Sequence, residues 1–234
     1  MALPVIDTPK YSVKVPSTGK AVQYRPYLVK EEKILMMALE SENQEQILGA
    51  VKDIIQACTY DKVKVDDLAP FDLEYLFLKL RSKSVGETSR VGIKCKSCDH
   101  SNEVEIPIDS VEVNMEDLPS PTIMLTDKVG IVLRYPTVKD IEKLAVMKDG
   151  MGQIMRTITM CIENIFDDDK VYPAKDSTPK ELEAFIDSLN SEQFKKIQEF
   201  FEKMPALSHD VRFTCSECGT TNEFALKGLA NFFG

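Results

Sequence analysis

Two matched cysteine motifs constrain this chain more than any other feature. The motifs are Cys-x-x-Cys pairs, formed by Cys95 with Cys98 and by Cys215 with Cys218. They lie in the similar stretches 91–106 and 211–226, where matched residues such as Asn102 and Asn222 differ by 120 in number. Apolar alternation around each pair predicts a strand, a cysteine turn and a return strand, together called a knuckle here. Two knuckles supply four thiolates, which is the ligand set of a structural zinc ribbon.

The spacing of the four cysteines suits a metal site. A Cys-x-x-Cys turn points both sulfurs to one side, so each knuckle gives two corners of a tetrahedron. Such a closed site has no open coordination position, and it therefore stabilises structure rather than activating water. Between the pairs lie 116 residues, whereas ordinary ribbons have roughly 15–20 there. We expect one structural Zn²⁺ per chain that joins the two ends of an inserted segment, with the ligands Cys95, Cys98, Cys215 and Cys218.

Other uses of these cysteines remain open from the sequence. Disulfides need an oxidising compartment, and no secretory signal opens the chain. A redox-active Cys-x-x-Cys usually occurs once, near a βαβ pattern, and not as a duplicated knuckle. Paired cysteines without a metal are a third alternative. His100 could replace a ligand, but its counterpart is Thr220, which favours a solvated turn histidine.

Composition narrows the class of protein. The 234 residues are 43% hydrophobic and carry a net charge of −9, so a real core can form and the surface is acidic. An acidic surface repels phosphate backbones, which argues against binding to nucleic acid. No apolar run approaches the roughly 18 residues that span a bilayer, which argues against a membrane protein. We expect an intracellular protein whose partners are other proteins.

The pattern along the chain predicts an α+β fold. The expected protein is mainly helical, with a split four-cysteine zinc ribbon of two β-hairpin knuckles and a small β-hairpin. The predicted regions are an extended N-terminal arm (1–29), an N-terminal helical region (30–86), the first zinc knuckle (87–108), an inserted β-hairpin plus helical region (109–209), the second zinc knuckle (210–227) and an apolar C-terminal tail (228–234).

Helical periodicity is clear before the first knuckle. The block 34–39 is apolar nearly all round, which indicates a buried or interface helix. Asn43 has the spacing of an N-cap before a second helix, whose apolar stripe includes Cys58 as a small core residue. A third helix is predicted over about 71–83.

The inserted region combines strands and helices. Apolar runs at 122–125 and 129–135, separated by a turn signal, predict a β-hairpin. A stripe from Ile154 to Ile165 predicts a helix with Cys161 in the core. Three consecutive acids from Asp167 are predicted to be a solvated turn, since they lack the spacing of a calcium loop. The predicted N-caps of the last two helices are Thr178 and Asn190.

Motifs for catalysis are missing from the sequence. It contains no Gly-rich phosphate loop, no Gly-x-Ser-x-Gly and no His-Glu-x-x-His. With only His100 and His209, acid–base chemistry by histidine is poorly supplied. We therefore predict that the protein is not an enzyme.

Three stretches resemble a known family. They are the third helix with its exit (71–87), the stretch 26–40, and the Cys-x-x-Cys that follows. They resemble the baseplate hub assembly protein family of T4-like contractile-tailed bacteriophages, and the resemblance spans at least residues 20–108. The string FDLEYLFLKLRSKSVGE at 71–87 is specific, whereas the knuckles alone would not be.

The resemblance implies a structural role in building a tail baseplate. Members act in forming its central hub, so the implied partners are other hub and tail proteins, and hub symmetry is compatible with a homo-oligomer. The implied locations are the host cytoplasm during assembly and the baseplate of the virion. We expect partner surfaces in residues 1–29, in 34–39 and at Phe232 and Phe233.

A zinc-ribbon adaptor of transcription or RNA machinery is the main alternative. Such a ribbon should carry Lys and Arg on the knuckle strands. Here Glu103, Glu105 and Glu223 oppose Lys94, Lys96 and Arg212, which leaves no basic face. A thiol redox protein is a weaker alternative, because bound zinc would block cycling of the dithiol.

Overall fold

The computed structural model of this protein describes residues 6–116, 118–145 and 150–232. Within those residues, seven α-helices and eleven strands are present, and the strands form four small antiparallel sheets. This mixed architecture agrees with the predicted α+β class. No helix in the described ranges is long and apolar enough to cross a membrane.

The elements alternate between short strands and helices along the chain. The helices are α1 (Val29–Glu40), α2 (Gln44–Cys58), α3 (Pro70–Ser84), α4 (Val138–Ala145), α5 (Gly150–Cys161), α6 (Pro179–Asp187) and α7 (Ser191–Glu202). The strands are β1 (Tyr11–Lys14), β2 (Ala21–Tyr24), β3 (Thr88–Lys94), β4 (Ser101–Pro107), β5 (Glu112–Val113), β6 (Thr122–Met124), β7 (Gly130–Leu133), β8 (Ile162–Phe166), β9 (Val171–Pro173), β10 (Leu207–Thr214) and β11 (Thr221–Lys227).

The chain divides into two compact units. The first unit comprises Met1–Asn114 and Ala206–Gly234, and the second comprises Met115–Pro205. The first contains the β1–β2 hairpin, helices α1 to α3 and both knuckles, β3–β4 and β10–β11. The second contains the sheet β6-β7-β8-β9 and helices α4 to α7. Both cysteine pairs therefore lie in the first unit.

Helices α2 and α3 supply much of the first unit's core. The Asn43 side chain accepts hydrogen bonds from two backbone N–H groups in the first turn of α2, as the N-cap prediction required. Cys58, at the end of the same helix, is fully buried, which confirms it as a core residue. Pro70 occupies the first turn of α3, where a missing N–H costs nothing, and Phe77 lies buried further along.

In the second unit, the helix starts follow the sequence closely. Thr178 and Asn190 each cap a helix through a reciprocal box, with Glu181 and Gln193 as the returning side chains. The predicted hairpin is present as β6 and β7. Helices and sheet share one core cluster, whose buried members are Leu125, Ile131, Leu133, Ile158, Ile162, Leu182, Ile186, Ile197 and Phe200.

The helix predicted from Ile154 to Ile165 is wrong beyond Cys161. Helix α5 ends there, and Ile162–Phe166 forms strand β8 between β7 and β9. A short β-branched run fits both periodicities, and pairing with two neighbouring strands decides the outcome. The acids that follow form the predicted turn, in which Asp167 accepts hydrogen bonds from two backbone N–H groups.

The expectation that Phe232 faces a partner is also wrong. Its side chain is completely buried, and its carbonyl oxygen accepts a hydrogen bond from Ser89 Oγ at 2.7 Å. A unit of this size gains stability by covering a chain-end aromatic ring with its own core. Phe233, the other predicted contact, lies outside the described residues.

Helix α1 forms as predicted but leaves apolar side chains in solvent. Ile34, Met36, Met37 and Leu39 are all exposed, and Met37 has 70% of its surface accessible. Within this block only Ala38 is buried. Complete burial of the helix is thus excluded, and its use as an interface stays a prediction.

The same series of elements occurs twice along the chain. Each copy has a β-hairpin, two helices, a single 3₁₀ turn, a helix that starts with proline, and a knuckle. The first copy runs from β1 to β4 and the second from β6 to β11. The second copy is longer because it adds β8, β9 and α7.

An arginine network marks equivalent positions in the two copies. In both, the arginine N–H donates to a buried cysteine carbonyl, at 3.0 Å and 2.8 Å. In both, the guanidinium pairs with a carboxylate six residues later, at 2.8 Å and 2.7 Å. The matched residues are Arg25 with Arg134, Glu31 with Asp140, and Cys58 with Cys161. The chain therefore contains two versions of one structural plan.

Candidate metal centre

Each cysteine pair lies in a tight turn between two paired strands. In the first knuckle, Cys95 N–H donates to the His100 carbonyl, and Asp99 N–H donates back to Cys95. Equivalent bonds close the second knuckle. The matched residues Asp99 and Gly219 both have positive φ, at 57° and 71°, which the turn requires. The turns therefore share one backbone geometry, and in each the second cysteine is exposed.

The four sulfur atoms converge on one point. All four lie within 4.8 Å of one another. Cys95 and Cys218 sulfurs are 3.7 Å apart, and so are those of Cys98 and Cys215. Four sulfurs at about 2.3 Å from a central zinc ion would lie about 3.8 Å from one another. Both sulfur–sulfur distances are close to that spacing, and they are too long for a disulfide, which needs about 2.05 Å.

Two buried asparagines join the knuckles crosswise. Asn222 of the second knuckle accepts from Lys96 N–H at 2.9 Å and donates to the Cys95 sulfur at 3.4 Å. In return, Asn102 of the first knuckle accepts from Ser216 N–H at 2.9 Å and donates to the second knuckle's first sulfur at 3.6 Å. Each asparagine therefore orients the opposite knuckle's turn and one of its sulfurs.

The surroundings make the thiols unequal in acidity. The N–H of Ser97, together with the side chain of Asn222, lowers the pKa of Cys95 to about 6. For Cys98, the His100 N–H favours the thiolate, but the neighbouring sulfurs outweigh it and raise the pKa to about 12. Close thiolates repel one another, so a cation at the centre would favour ionisation of all four.

The other candidates from the sequence lie elsewhere. His100 is exposed in its turn, and it does not belong to the group of side chains that could share a metal. Burial raises the pKa of Cys58 to about 11 and that of Cys161 to about 12. Thiols so hard to ionise are poor nucleophiles and poor metal ligands, which supports their assignment to the core.

The fold and the cluster define an α+β protein in which two knuckles, distant in sequence, bring four cysteines together. Its one group of three or more potential metal ligands, among the residues that the structure describes, is this cysteine cluster. The chain belongs to the family of T4 bacteriophage base plate proteins, whose model matches residues 8–234. This confirms the resemblance found in the sequence.

A curated relative also matches nearly the whole chain. The protein is 28% identical over 224 residues to the "Baseplate hub assembly protein gp26" of Enterobacteria phage T4. The alignment covers 96% of this chain and 97% of that protein. No solved structure matches the chain.

Proposed function

We propose that this protein is a non-enzymatic structural component in the formation of a phage baseplate hub. The end-to-end match to a protein named for baseplate hub assembly carries this proposal. The protein acts through contacts with other hub and tail proteins, in the host cytoplasm during assembly and in the baseplate of the virion.

A phage of the protein's own type that lacks this gene tests the role directly. Hubs should fail to form, and a plasmid copy of the wild-type gene should restore them. Hubs that form at the normal level without the gene would contradict the proposal.

We also propose that the cluster holds one structural zinc ion per chain. The sulfur spacing and the four-cysteine donor set support it. A zinc ion bound by four cysteines joins chain segments far apart in sequence and leaves no position for a substrate. The region 109–209, between the knuckles, would then be held at both ends.

Elemental analysis tests the zinc proposal. Purified protein should contain about one zinc ion per chain, and Cys215→Ser should lose both the zinc and cooperative melting. Cys58→Ala is a suitable control, because that thiol is buried outside the cluster. If purified wild-type protein contains no zinc and Cys215→Ser melts as the wild type does, the zinc proposal is wrong. The proposed role in assembly would be unaffected.

Charge on the knuckles argues against the alternative of a nucleic-acid adaptor. Arg90 faces Glu103 and Glu105, at 3.8 Å and 4.0 Å. Arg212 faces Glu223 at 3.4 Å on the second knuckle. These exposed pairs neutralise the arginines that a phosphate backbone would need.

Two surfaces are proposed for partner contacts. One is the exposed apolar side of α1, and Met37→Glu should weaken hub association without unfolding the protein. The other is the N-terminal arm, which deletion of residues 1–9 tests. This deletion keeps Tyr24 and Arg25, which belong to the core and the arginine network. Unchanged hub association in either variant would exclude that surface.

A further inference from the structure

We propose that a cleft in the second unit binds an acidic segment of a partner protein. The cleft has a volume of about 1110 Å³ and lies among α4, α5, α6, β8 and the turn after β9. The inference rests on the proposed function, since it assigns one of the expected protein contacts to a definite site.

The charge of the cleft differs from that of the chain. Although the protein has a net charge of −9, the cleft is lined by four basic residues and two acidic ones. Arg134 is already paired with Asp140. The other three, Lys143, Arg156 and Lys175, are exposed, and no ion pair holds them within the described part of the chain. Glu163 and Glu183 also line the cleft, so these three cations leave an excess of one positive charge, which favours carboxylates from outside.

The floor of the cleft is apolar. Leu144, Ile162 and Leu182 line it and are each more than nine-tenths buried. An occupant can therefore place an apolar side chain on the floor while its carboxylates reach the cations at the rim. This combination of an apolar floor and a charged rim fits a peptide segment that carries both kinds of side chain.

The first copy of the structural plan shows what such a groove accepts. Its equivalent groove, with a volume of about 650 Å³, is lined by Leu35, Leu73 and Glu74. The residues 109 positions later, Leu144, Leu182 and Glu183, line the cleft of the second copy. The two recesses therefore occupy corresponding places between corresponding helices.

The chain's own C-terminal segment lies against the first groove. Leu229 lines it together with Glu74. In the second copy every lining residue comes from 134–183, so no segment of the described chain takes the place of Leu229. The first groove also lacks Lys and Arg in its lining, so the cations of the second one point to a different, acidic occupant.

Photo-cross-linking in the full chain tests this assignment. A photoreactive amino acid replaces Ser177, an uncharged residue that lines the cleft, and the protein is produced during infection by its own phage. We expect cross-links to a peptide that contains Asp or Glu beside an apolar residue. The control position is Glu192, which is exposed on α7 and does not line the cleft.

Charge reversal provides the matched comparison. The triple variant K143E/R156E/K175E should reduce the Ser177 cross-link at least about tenfold, because like charges would then face the carboxylates. The control K180E/K195E/K203E changes the same total charge on exposed residues that do not line the cleft, and it should retain the cross-link. Both variants must melt like the wild-type protein.

The outcomes separate this inference from the proposed function. Equal loss in both triple variants, a cross-linked peptide without carboxylates, or a cross-link to nucleic acid would overturn the cleft assignment. If K143E/R156E/K175E supports normal hub formation in a phage that needs the gene, the cleft assignment is also wrong. The proposed role in assembly would be unaffected. Hub formation without the gene would refute the assembly role itself.

Discussion

Replacing Asn222 by alanine should loosen the metal centre from the opposite knuckle. Asn222 is 2% exposed, and its side chain makes two hydrogen bonds to the first knuckle. It accepts from the Lys96 N–H and donates to the Cys95 sulfur. Loss of an ordinary hydrogen bond costs about 1 kcal/mol, and loss of one to a charged acceptor about 1.5–3 kcal/mol. We expect Asn222→Ala to lower the free energy of unfolding by about 2–4 kcal/mol. If the cluster binds zinc as proposed, loss of such a supporting bond should also weaken that binding about 10–100-fold.

A second substitution at the same position distinguishes the contributions of the two hydrogen bonds. Asn222→Asp keeps the oxygen that accepts from Lys96 but places a carboxylate beside the Cys95 sulfur. The repulsion between the two negative groups should weaken zinc binding at least as much as the alanine variant does. Because the asparagines act reciprocally, Asn102→Ala should produce a loss similar to that of Asn222→Ala.

Urea unfolding at fixed free zinc and competition with a chromophoric chelator measure both quantities. Thr221→Ala is the control, since Thr221 is the exposed neighbour on the same strand. If Asn102→Ala and Asn222→Ala unfold and bind zinc as the control does, the asparagines do not support the centre and the reasoning fails.

Two further predictions concern the first unit. Burial opposes ionisation of Glu31, but the bond from Arg25 and a backbone N–H outweigh it and hold the pKa of this carboxyl below its usual value of 4.5. The advantage of wild type over Glu31→Gln should therefore be full above about pH 4.5 and should vanish as the pH falls through the folded pKa. Urea unfolding at pH 7 and at pH 3 measures this difference in the free energy of unfolding between wild type and Glu31→Gln. The control is Glu40→Gln, an exposed position where the difference should not depend on pH. A pH-independent difference for Glu31→Gln would contradict the prediction. Phe232→Ala should cost about 3–5 kcal/mol in the free energy of unfolding, because the ring is fully buried; an unchanged urea midpoint would show that the ring does not contribute to the core.

Structural features that depend only on neighbouring residues in the sequence could be predicted. The knuckles combine strand alternation, a cysteine turn and a polar turn within about sixteen residues, and each step has a local physical cause. The N-caps at Asn43, Thr178 and Asn190 were equally clear, because the capping side chain bonds to backbone two or three residues away. These contacts need no information about distant parts of the chain.

Features decided by distant contacts were not predictable in the same way. Strand β8 exists because β7 and β9 pair with it on both sides, while its own spacing also fits a helix. The matched positions of Asn102 and Asn222 were visible, but their bonds cross between residues more than 110 positions apart. Phe232 is buried in the same way, beside a hydroxyl group 143 residues earlier.

The long separation of the knuckles has a consequence for synthesis on the ribosome. At about 5–20 residues per second, the second knuckle is made roughly 6–24 s after the first. Until then Cys95 and Cys98 have no partner sulfurs, and Ser89 lacks the carbonyl of Phe232. The first unit therefore closes only when its last segment, from Ala206 onward, has been translated. A chain that ends before Ala206 would lack β10 and β11, and it could complete neither the cysteine cluster nor the core of the first unit.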